Sequence, residues 1–107
     1  NPMFQGLSAD LADVPRRCTN TASGLADSLR CAGTGTQEPL WERLPSLTMP
    51  VLIITGDTDE KFTAIARQMT PLISQAEHHI MKEVGHTCHL EDVHQFVEVF
   101  EDWFLRL

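Results

Sequence analysis

The sequence has 107 residues, and its 8 basic and 15 acidic side chains give a net charge of −7. A chain of this length forms one small domain at most. The acidic excess argues against a nucleic-acid partner, because no basic stripe is present to contact phosphates. The longest apolar run, Val51–Ile54, is far too short to span a bilayer, and no signal segment opens the chain. We therefore expect no membrane span.

The cysteines are few and carry no pairing pattern. Cys18, Cys31 and Cys88 are odd in number, and no C-x-x-C pair occurs. This usage fits a reducing compartment better than a disulfide framework. We expect a cytoplasmic protein whose thiols are buried or idle.

Residues 1–48 are rich in glycine, serine, threonine and proline. We predict short helices in the stretches that separate clusters of these residues. Apolar side chains recur at helical spacing over about Ser23–Cys31. Gly33-Thr34-Gly35 should end this helix, since glycine accepts the left-handed conformation common after a helix. Shorter helical segments are predicted over Asp10–Val14 and around Leu40, Trp41 and Leu44.

Residues 49–107 predict strand, helix, strand and helix in turn. Pro50–Thr55 is a continuous apolar and β-branched run, typical of a central parallel strand with both faces buried. An apolar stripe over Phe62–Ile73 predicts an amphipathic helix. His79–Val84 is predicted as the second strand, and the same helical spacing returns over 91–106. Strands that alternate with helices indicate a parallel α/β sheet. Because two strands cannot form a stable open sheet, we expect the remaining strands to lie outside this sequence.

Two side chains with catalytic potential follow the predicted strands. Asp59 lies in the turn Gly56-Asp57-Thr58-Asp59 after the first strand, and His86 follows Gly85 after the second. Functional groups of such sheets lie just beyond the carboxyl ends of strands, and adjacent strands are about 4.8 Å apart. An acid that orients a histidine is half of a catalytic triad, and the order aspartate then histidine fits α/β hydrolases.

The nucleophile of such a triad is not evident. The elbow pattern G-x-S-x-G is absent, and Ser8, in Gly6-Leu7-Ser8-Ala9-Asp10, lacks the closing glycine. We expect the serine upstream, on a segment outside this sequence.

Two other sequence patterns resemble a zinc site and a phosphate loop, but neither predicts one. His86, Cys88, His89 and Glu91, with His94 nearby, offer zinc-ligating groups, but their spacing matches no standard zinc site, so we predict no metal. The segment Gly33–Thr36 follows a helix and has no lysine after it, so it is a turn and not a phosphate loop.

Particular segments resemble a known family. Pro50–Thr55 followed by Gly56-Asp57-Thr58-Asp59, and Gly85-His86, look like the acid and histidine positions of α/β hydrolases. Asp59-Glu60-Lys61-Phe62 and Gly33-Thr34-Gly35-Thr36-Gln37, with Pro39-Leu40-Trp41 and His89-Leu90-Glu91, resemble more narrowly the 2-succinyl-6-hydroxy-2,4-cyclohexadiene-1-carboxylate synthases of menaquinone and phylloquinone biosynthesis. The resemblance covers nearly the whole chain, as the C-terminal part of the fold: a helical cap over 1–48 and the core over 49–107.

The resemblance implies a carbon–oxygen lyase that eliminates pyruvate from a succinyl-cyclohexene carboxylate, without metal or organic cofactor. Asp59 and His86 match the family's acid and base, and the missing N-terminal half would supply the serine. This chain alone is then expected to be inactive. The substrate carries several carboxylates, so cations should bind it, and Arg30 and Lys61, with Trp41 lining the pocket, are the candidates. Arg16 and Arg17 are further possible contacts. Location would be the cytoplasm, or the plastid stroma in a photosynthetic eukaryote.

Two alternatives stay open at this stage. The chain can belong to another α/β hydrolase, such as an esterase acting on a small ester. It can also be a non-catalytic module that binds a partner through an exposed sheet edge.

Overall fold

A computed structural model describes residues 21–107, which fall into two compact units, 21–40 and 41–107. The first unit contains helix α1, Ala22–Ala32. The Thr21 hydroxyl caps this helix by accepting a 3.0 Å hydrogen bond from the backbone N–H of Gly24. The predicted helix over Ser23–Cys31 is thus confirmed, whereas the predicted turn over Asp10–Val14 lies outside the described residues.

The end of α1 differs from its prediction in one respect. Gly33 follows the helix with φ −69° and ψ 151°, an extended conformation and not a left-handed one. Its N–H donates to the carbonyl of Leu29, and a Cβ at this position would lie 2.3 Å from that oxygen. Glycine is therefore required here because a side chain would clash with the last turn of α1, and not because the backbone is left-handed.

The second unit alternates strands with helices, as predicted. Its elements are a 3-10 helix Trp41–Ser46, strand β1 Val51–Gly56, helix α2 Glu60–Met69, a 3-10 turn Thr70–Leu72, strand β2 Ala76–Met81, helix α3 Cys88–Glu91 and helix α4 Val93–Leu105.

The two strands form a parallel pair whose register runs from Val51 opposite Ala76 to Gly56 opposite Met81. The predicted second strand, His79–Val84, is therefore shifted by three residues. Glu83 explains the early end of β2, because its φ of 60° turns the chain out of the extended conformation. Val84 lies in the loop that follows, where its carbonyl accepts hydrogen bonds from the turn after β1.

The core of this unit lies beneath the carboxyl ends of the strands. Met81, Val84 and Cys88 are buried together, and Ile54 and Phe96 pack against them. The first four residues of β1 are half-buried and its last two are buried, so this chain alone covers the strand only in part. That agrees with the expectation that the remaining strands lie outside this sequence. On α4, several apolar side chains of one stripe are exposed: Val93, Val97, Phe100 and Phe104. Within residues 21–107, no helix is long and apolar enough to cross a membrane.

Candidate active site

Asp59 lies where β1 has ended and α2 is about to begin. Its backbone N–H donates to the carbonyl of Gly56, which makes the tight turn, and its Oδ1 lies 3.5 Å from the backbone N of Phe62, which caps the helix. A carboxylate is stabilised at the N-terminus of a helix, because the positive ends of the backbone dipoles point there. The turn therefore fixes the position of the acid and leaves its second oxygen for another partner.

That partner is His86, whose Nδ1 lies 2.9 Å from Asp59 Oδ2. The aspartate side chain is 5% exposed and the imidazole 34% exposed, so a buried carboxylate holds a partly accessible imidazole. The predicted approach of these two side chains is confirmed. An ionised carboxylate accepts the proton on Nδ1, which makes Nε2 the basic nitrogen of the neutral ring.

Gly56 allows the two turns to come together. A Cβ on Gly56 would lie 2.2 Å from the carbonyl oxygen of Val84 and 2.3 Å from that of Gly85, both far inside contact distance. The Thr58 hydroxyl and backbone N–H also donate to the Val84 carbonyl, at 2.8 and 3.1 Å. The segment that precedes His86 is thus tied directly to the turn that carries Asp59.

The loop around His86 is held from its other side by Glu91. One carboxylate oxygen of Glu91 accepts from the backbone N–H of Gly85 at 3.0 Å. The other oxygen accepts from the N–H and the hydroxyl of Thr87, at 3.1 and 3.0 Å. The residues directly before and after His86 are therefore bound to one side chain. The sequence pattern indicated Glu91 only as a possible metal ligand and as part of a family motif, and it gave no sign of this contact.

A cleft of about 220 Å³ opens beside the pair. Its walls include Asp59 and His86, together with mainly apolar side chains from β1 and α2: Ile53, Ile54, Thr55, Phe62, Ile65, Ala66 and Met69. The ring of Phe62 lies 4.6 Å from the His86 ring, centroid to centroid, at 51°. Phe62 was evident from the sequence as part of the apolar stripe of α2 and of a family motif, but not as a residue of the site.

The three residues predicted to bind substrate, Lys61, Trp41 and Arg30, differ in their exposure and contacts. Lys61 is exposed at the start of α2, and its Nζ lies 5.4 Å from the centroid of the Phe62 ring, which itself lines the cleft. Trp41 is 38% exposed and is not among the residues that line the cleft. Arg30 belongs to the unit 21–40, where it pairs with Asp27. Arg16 and Arg17 lie outside the described residues.

The side chains with zinc-ligating groups have other contacts. Cys88 is buried, and its Sγ donates to the carbonyl of Gly85 at 3.3 Å. Burial raises the pKa of this thiol, which disfavours the thiolate that a metal requires. His89 is exposed and meets Phe96 edge to face. Within residues 21–107, no group of three or more histidine, cysteine, aspartate and glutamate side chains is placed to hold a metal ion. The absence of metal in the working protein stays a prediction.

A second histidine, His78, belongs to a hydrogen-bond network that joins the two strands to α2. His78 Nε2 lies 2.8 Å from the hydroxyl of Thr55, and the Thr63 hydroxyl lies 2.9 Å from the same oxygen. Burial, and then the nearby positive charge of Arg67, lower the pKa of His78. The neutral ring is thereby favoured in a network that links β2, β1 and α2.

Comparison with known proteins gives no match to any protein-family model but clear similarity to curated sequences. The chain is 37% identical, over 99% of its length, to a putative 2-succinyl-6-hydroxy-2,4-cyclohexadiene-1-carboxylate synthase of Bacillus subtilis. It is 32% identical, over 98% of its length, to the synthase of that name from Serratia proteamaculans. In both cases it spans about 40% of the relative's own length.

Solved structures agree with the sequence matches. The structure of MenH from S. aureus superposes with a TM-score of 0.88 at 32% identity, over 99% of this chain and 42% of that one. An α/β hydrolase from a lagoon-sediment metagenome gives a TM-score of 0.73 at 22% identity, over 94% of this chain and 48% of that one, which bears on the fold alone.

The parallel strand pair, its packed helices and these superpositions define the C-terminal part of an α/β-hydrolase fold, which confirms the predicted fold class. The sequence resemblance to the 2-succinyl-6-hydroxy-2,4-cyclohexadiene-1-carboxylate synthases is also confirmed, over nearly the whole chain.

Proposed function

We propose that this chain contributes the acid and the base of a catalytic triad to a lyase that eliminates pyruvate from a succinyl-cyclohexene carboxylate, a step of menaquinone or phylloquinone biosynthesis. The observation that carries the proposal is the 2.9 Å contact between Asp59 Oδ2 and His86 Nδ1 beside an apolar cleft. The similarity to the named synthases gives the proposal its substrate class.

The serine of the triad comes, in this proposal, from a longer polypeptide of which the chain is a part, here called the complete enzyme. The 40% coverage of the relatives supports this view. Asp59 keeps the proton of His86 on Nδ1, so that Nε2 takes the serine proton. The activated serine oxygen then abstracts a proton next to a carbonyl or carboxylate of the substrate. The electron pair of that C–H bond forms a carbon–carbon double bond, and the C–O bond to the enolpyruvyl group breaks with its electron pair left on that oxygen. The enolate so released takes up one proton, which balances the proton abstracted, and becomes pyruvate.

The surroundings of the pair suit a polyanionic, partly hydrocarbon substrate. The apolar wall formed by β1 and α2 offers contact for a cyclohexene ring, and desolvation there strengthens nearby charge interactions. Lys61, whose Nζ lies 5.4 Å from the centroid of the Phe62 ring in the cleft wall, is the proposed cation for a substrate carboxylate. Arg30 and Trp41 remain proposals for substrate contact that rest on the family resemblance alone.

Pyruvate release by the complete enzyme, followed with lactate dehydrogenase and NADH, tests this function. The matched assay is hydrolysis of a p-nitrophenyl ester at the same enzyme concentration, since an esterase remains the competing interpretation. We expect rapid release of one pyruvate per substrate and slow ester hydrolysis. Efficient ester hydrolysis with no pyruvate would assign the chain to a different α/β hydrolase.

Lys61→Ala probes the substrate class within the same assay. Loss of a carboxylate contact made equally in the ground and transition states should raise KM and leave kcat nearly unchanged. The matched control is Lys82→Ala, because Lys82 is an exposed lysine in the turn after β2 and is not among the residues that line the cleft. Equal KM values for both variants and the parent enzyme would remove Lys61 from the substrate site.

A further inference from the structure

The loop that carries His86 has one feature that the triad does not account for, the side chain of Glu91. This half-buried carboxylate stands at the end of α3 and points back over that helix toward its start. It accepts hydrogen bonds from the backbone N–H groups of Gly85 and Thr87, the two neighbours of His86 in the chain. The Thr87 hydroxyl donates to it as well.

From this geometry we infer that Glu91 is a positioning residue for His86, which acts by fixing the backbone on both sides of the imidazole. The inference rests on the proposed function for its kinetic consequence, but not for its structural one. A charged acceptor forms hydrogen bonds about twice as strong as a neutral acceptor does. Three such bonds converge here on a loop of three residues, Gly85–Thr87.

Other hydrogen bonds to this loop do not replace those that Glu91 accepts from Gly85 and Thr87. The side-chain anchors other than Glu91 act before His86: the Cys88 thiol donates to the Gly85 carbonyl, and Thr58 donates to the Val84 carbonyl. After His86, the Thr87 carbonyl accepts from the backbone N–H groups of Leu90 and Glu91. Glu91 alone, among these three side chains, also contacts the residue that follows His86. It therefore restrains rotation of the His86 backbone, which sets the direction of the ring toward Asp59.

Misplacement of a reacting group by about 1 Å can cost about 10²-fold in rate. Glu91→Gln keeps the size of the side chain but replaces one acceptor oxygen with an NH₂ donor, which must then face backbone N–H groups. In the complete enzyme we expect this change to lower kcat for pyruvate release by about 10–100-fold with little change in KM. Glu101→Gln is the matched control, because Glu101 is an exposed carboxylate on α4.

A spectroscopic readout separates this inference from the proposed function. In the ¹⁵N-labelled complete enzyme without substrate, the His86 Nδ1–H proton bonded to Asp59 should give a downfield resonance protected from solvent exchange. Glu91→Gln should shift this resonance upfield or broaden it by exchange, whereas Glu101→Gln leaves it unchanged. Should the parent enzyme release no pyruvate while the resonance still responds, the proposed function fails and the positioning role stands.

Thr87→Val provides a second variant in case Glu91→Gln does not fold. It removes one of the three hydrogen bonds to Glu91 and preserves the shape of the side chain. We expect a smaller fall in kcat, about 3–10-fold, on the same rate scale. A folded Glu91→Gln or Thr87→Val enzyme with parental kcat and an unchanged His86 resonance would overturn the inference.

Discussion

Asp59 uses its two carboxylate oxygens for two different tasks, one toward the N–H of Phe62 and the other toward His86. The same side chain therefore caps the start of α2 and contacts the His86 ring. The carboxylate is therefore held on one side by the 3.5 Å contact with the start of α2 and on the other by the 2.9 Å contact with the histidine.

Replacement of Asp59 by asparagine should remove the orientation of His86 while preserving the cap. An amide presents a donor or a neutral acceptor to Nδ1, so the tautomer with a basic Nε2 is no longer favoured. We expect kcat of the complete enzyme to fall by about 10³–10⁴-fold, as is typical when a triad loses its acid. The measurement is pyruvate release under saturating substrate.

Asp57→Asn is the matched control, since Asp57 is an exposed acid two residues away in the same turn. It should retain activity within about threefold, because a surface substitution usually has a small effect on the fold. Comparable losses for both variants would show that the turn as a whole, and not the Asp59 carboxylate, is responsible.

Gly56→Ala should be strongly destabilising although the added group is a single methyl. The new Cβ would lie 2.2 Å from the carbonyl oxygen of Val84, so the loop that leads to His86 must move. Overpacking of this kind typically costs about 1–3 kcal/mol of unfolding free energy. Gly35→Ala is the control, because nothing lies within 4 Å of the position that its new methyl group would take.

Urea denaturation of both glycine variants measures the difference. We expect a clear fall in the midpoint for Gly56→Ala, accompanied by loss of activity, and a near-parental midpoint for Gly35→Ala. Equal midpoints would mean that the two turns are not in the close contact described.

Stability should decline in mild acid because of His78. Its pKa is lowered in the folded protein by burial and by Arg67, so the unfolded state binds more protons at a pH near the ordinary value of 6.5. The stabilisation is complete above that pH and is lost as the pH falls toward the lowered folded value. Thermal melting at pH 7.5 and pH 5.5 should show a lower Tm in acid.

His78→Gln should reduce this difference between the two pH values, since glutamine does not titrate. His79→Gln is the matched control, because His79 is the exposed neighbour on the same strand. A pH dependence that survives in His78→Gln and disappears in His79→Gln would contradict the assignment.

The 107-residue chain expressed alone should self-associate. Four apolar side chains of one stripe of α4, those of Val93, Val97, Phe100 and Phe104, are 42–58% exposed, and the first four residues of β1 are only half-buried. Exposed apolar stripes and strand edges favour association. Sedimentation velocity should show species larger than a monomer at micromolar concentration. Val97→Lys with Phe104→Lys should reduce them, whereas Glu101→Lys should not, and a folded monomer throughout would refute the expectation.

The elements with strong apolar periodicity could be predicted from the sequence. β1 is a continuous apolar and largely β-branched run, and α2 and α4 each carry an apolar stripe, so the spacing of apolar residues predicts a strand and two helices. β2 begins three residues earlier than the sequence predicts. Its residues, Ala76–Met81, alternate exposed polar side chains with half-buried ones, so its start has no clear apolar signal. The apolar Val84, which lies beyond its end, leads to the prediction of a strand that ends later. Its end depends on the left-handed Glu83, which no apolar pattern signals.

The acid and the histidine could also be predicted, since both directly follow strands of one parallel sheet. The rest of the site could not, because it depends on how loops close in three dimensions. The contact of Phe62 with the His86 ring and the hydrogen bonds from Gly85 and Thr87 to Glu91 join residues whose spacing matches no single motif. Local sequence shows that Glu91 is near His86 but not that its carboxylate folds back.

The central claim is that His86, and not the nearby His89, is the base of the site. His86 contacts Asp59 beside the cleft, whereas His89 is exposed on α3 against Phe96. General-base catalysis typically contributes about 10²–10⁴-fold, and loss of a base from a triad can cost more. Removal of a surface histidine with one aromatic contact should cost at most about 1 kcal/mol of stability.

The decisive measurement is kcat for pyruvate release by the complete enzyme carrying either His86→Ala or His89→Ala, with folding of each verified by thermal melting. The account predicts a loss of at least about 10²-fold for His86→Ala and a kcat within about threefold of the parent for His89→Ala. Equal losses, or a larger loss for a folded His89→Ala enzyme, would contradict it.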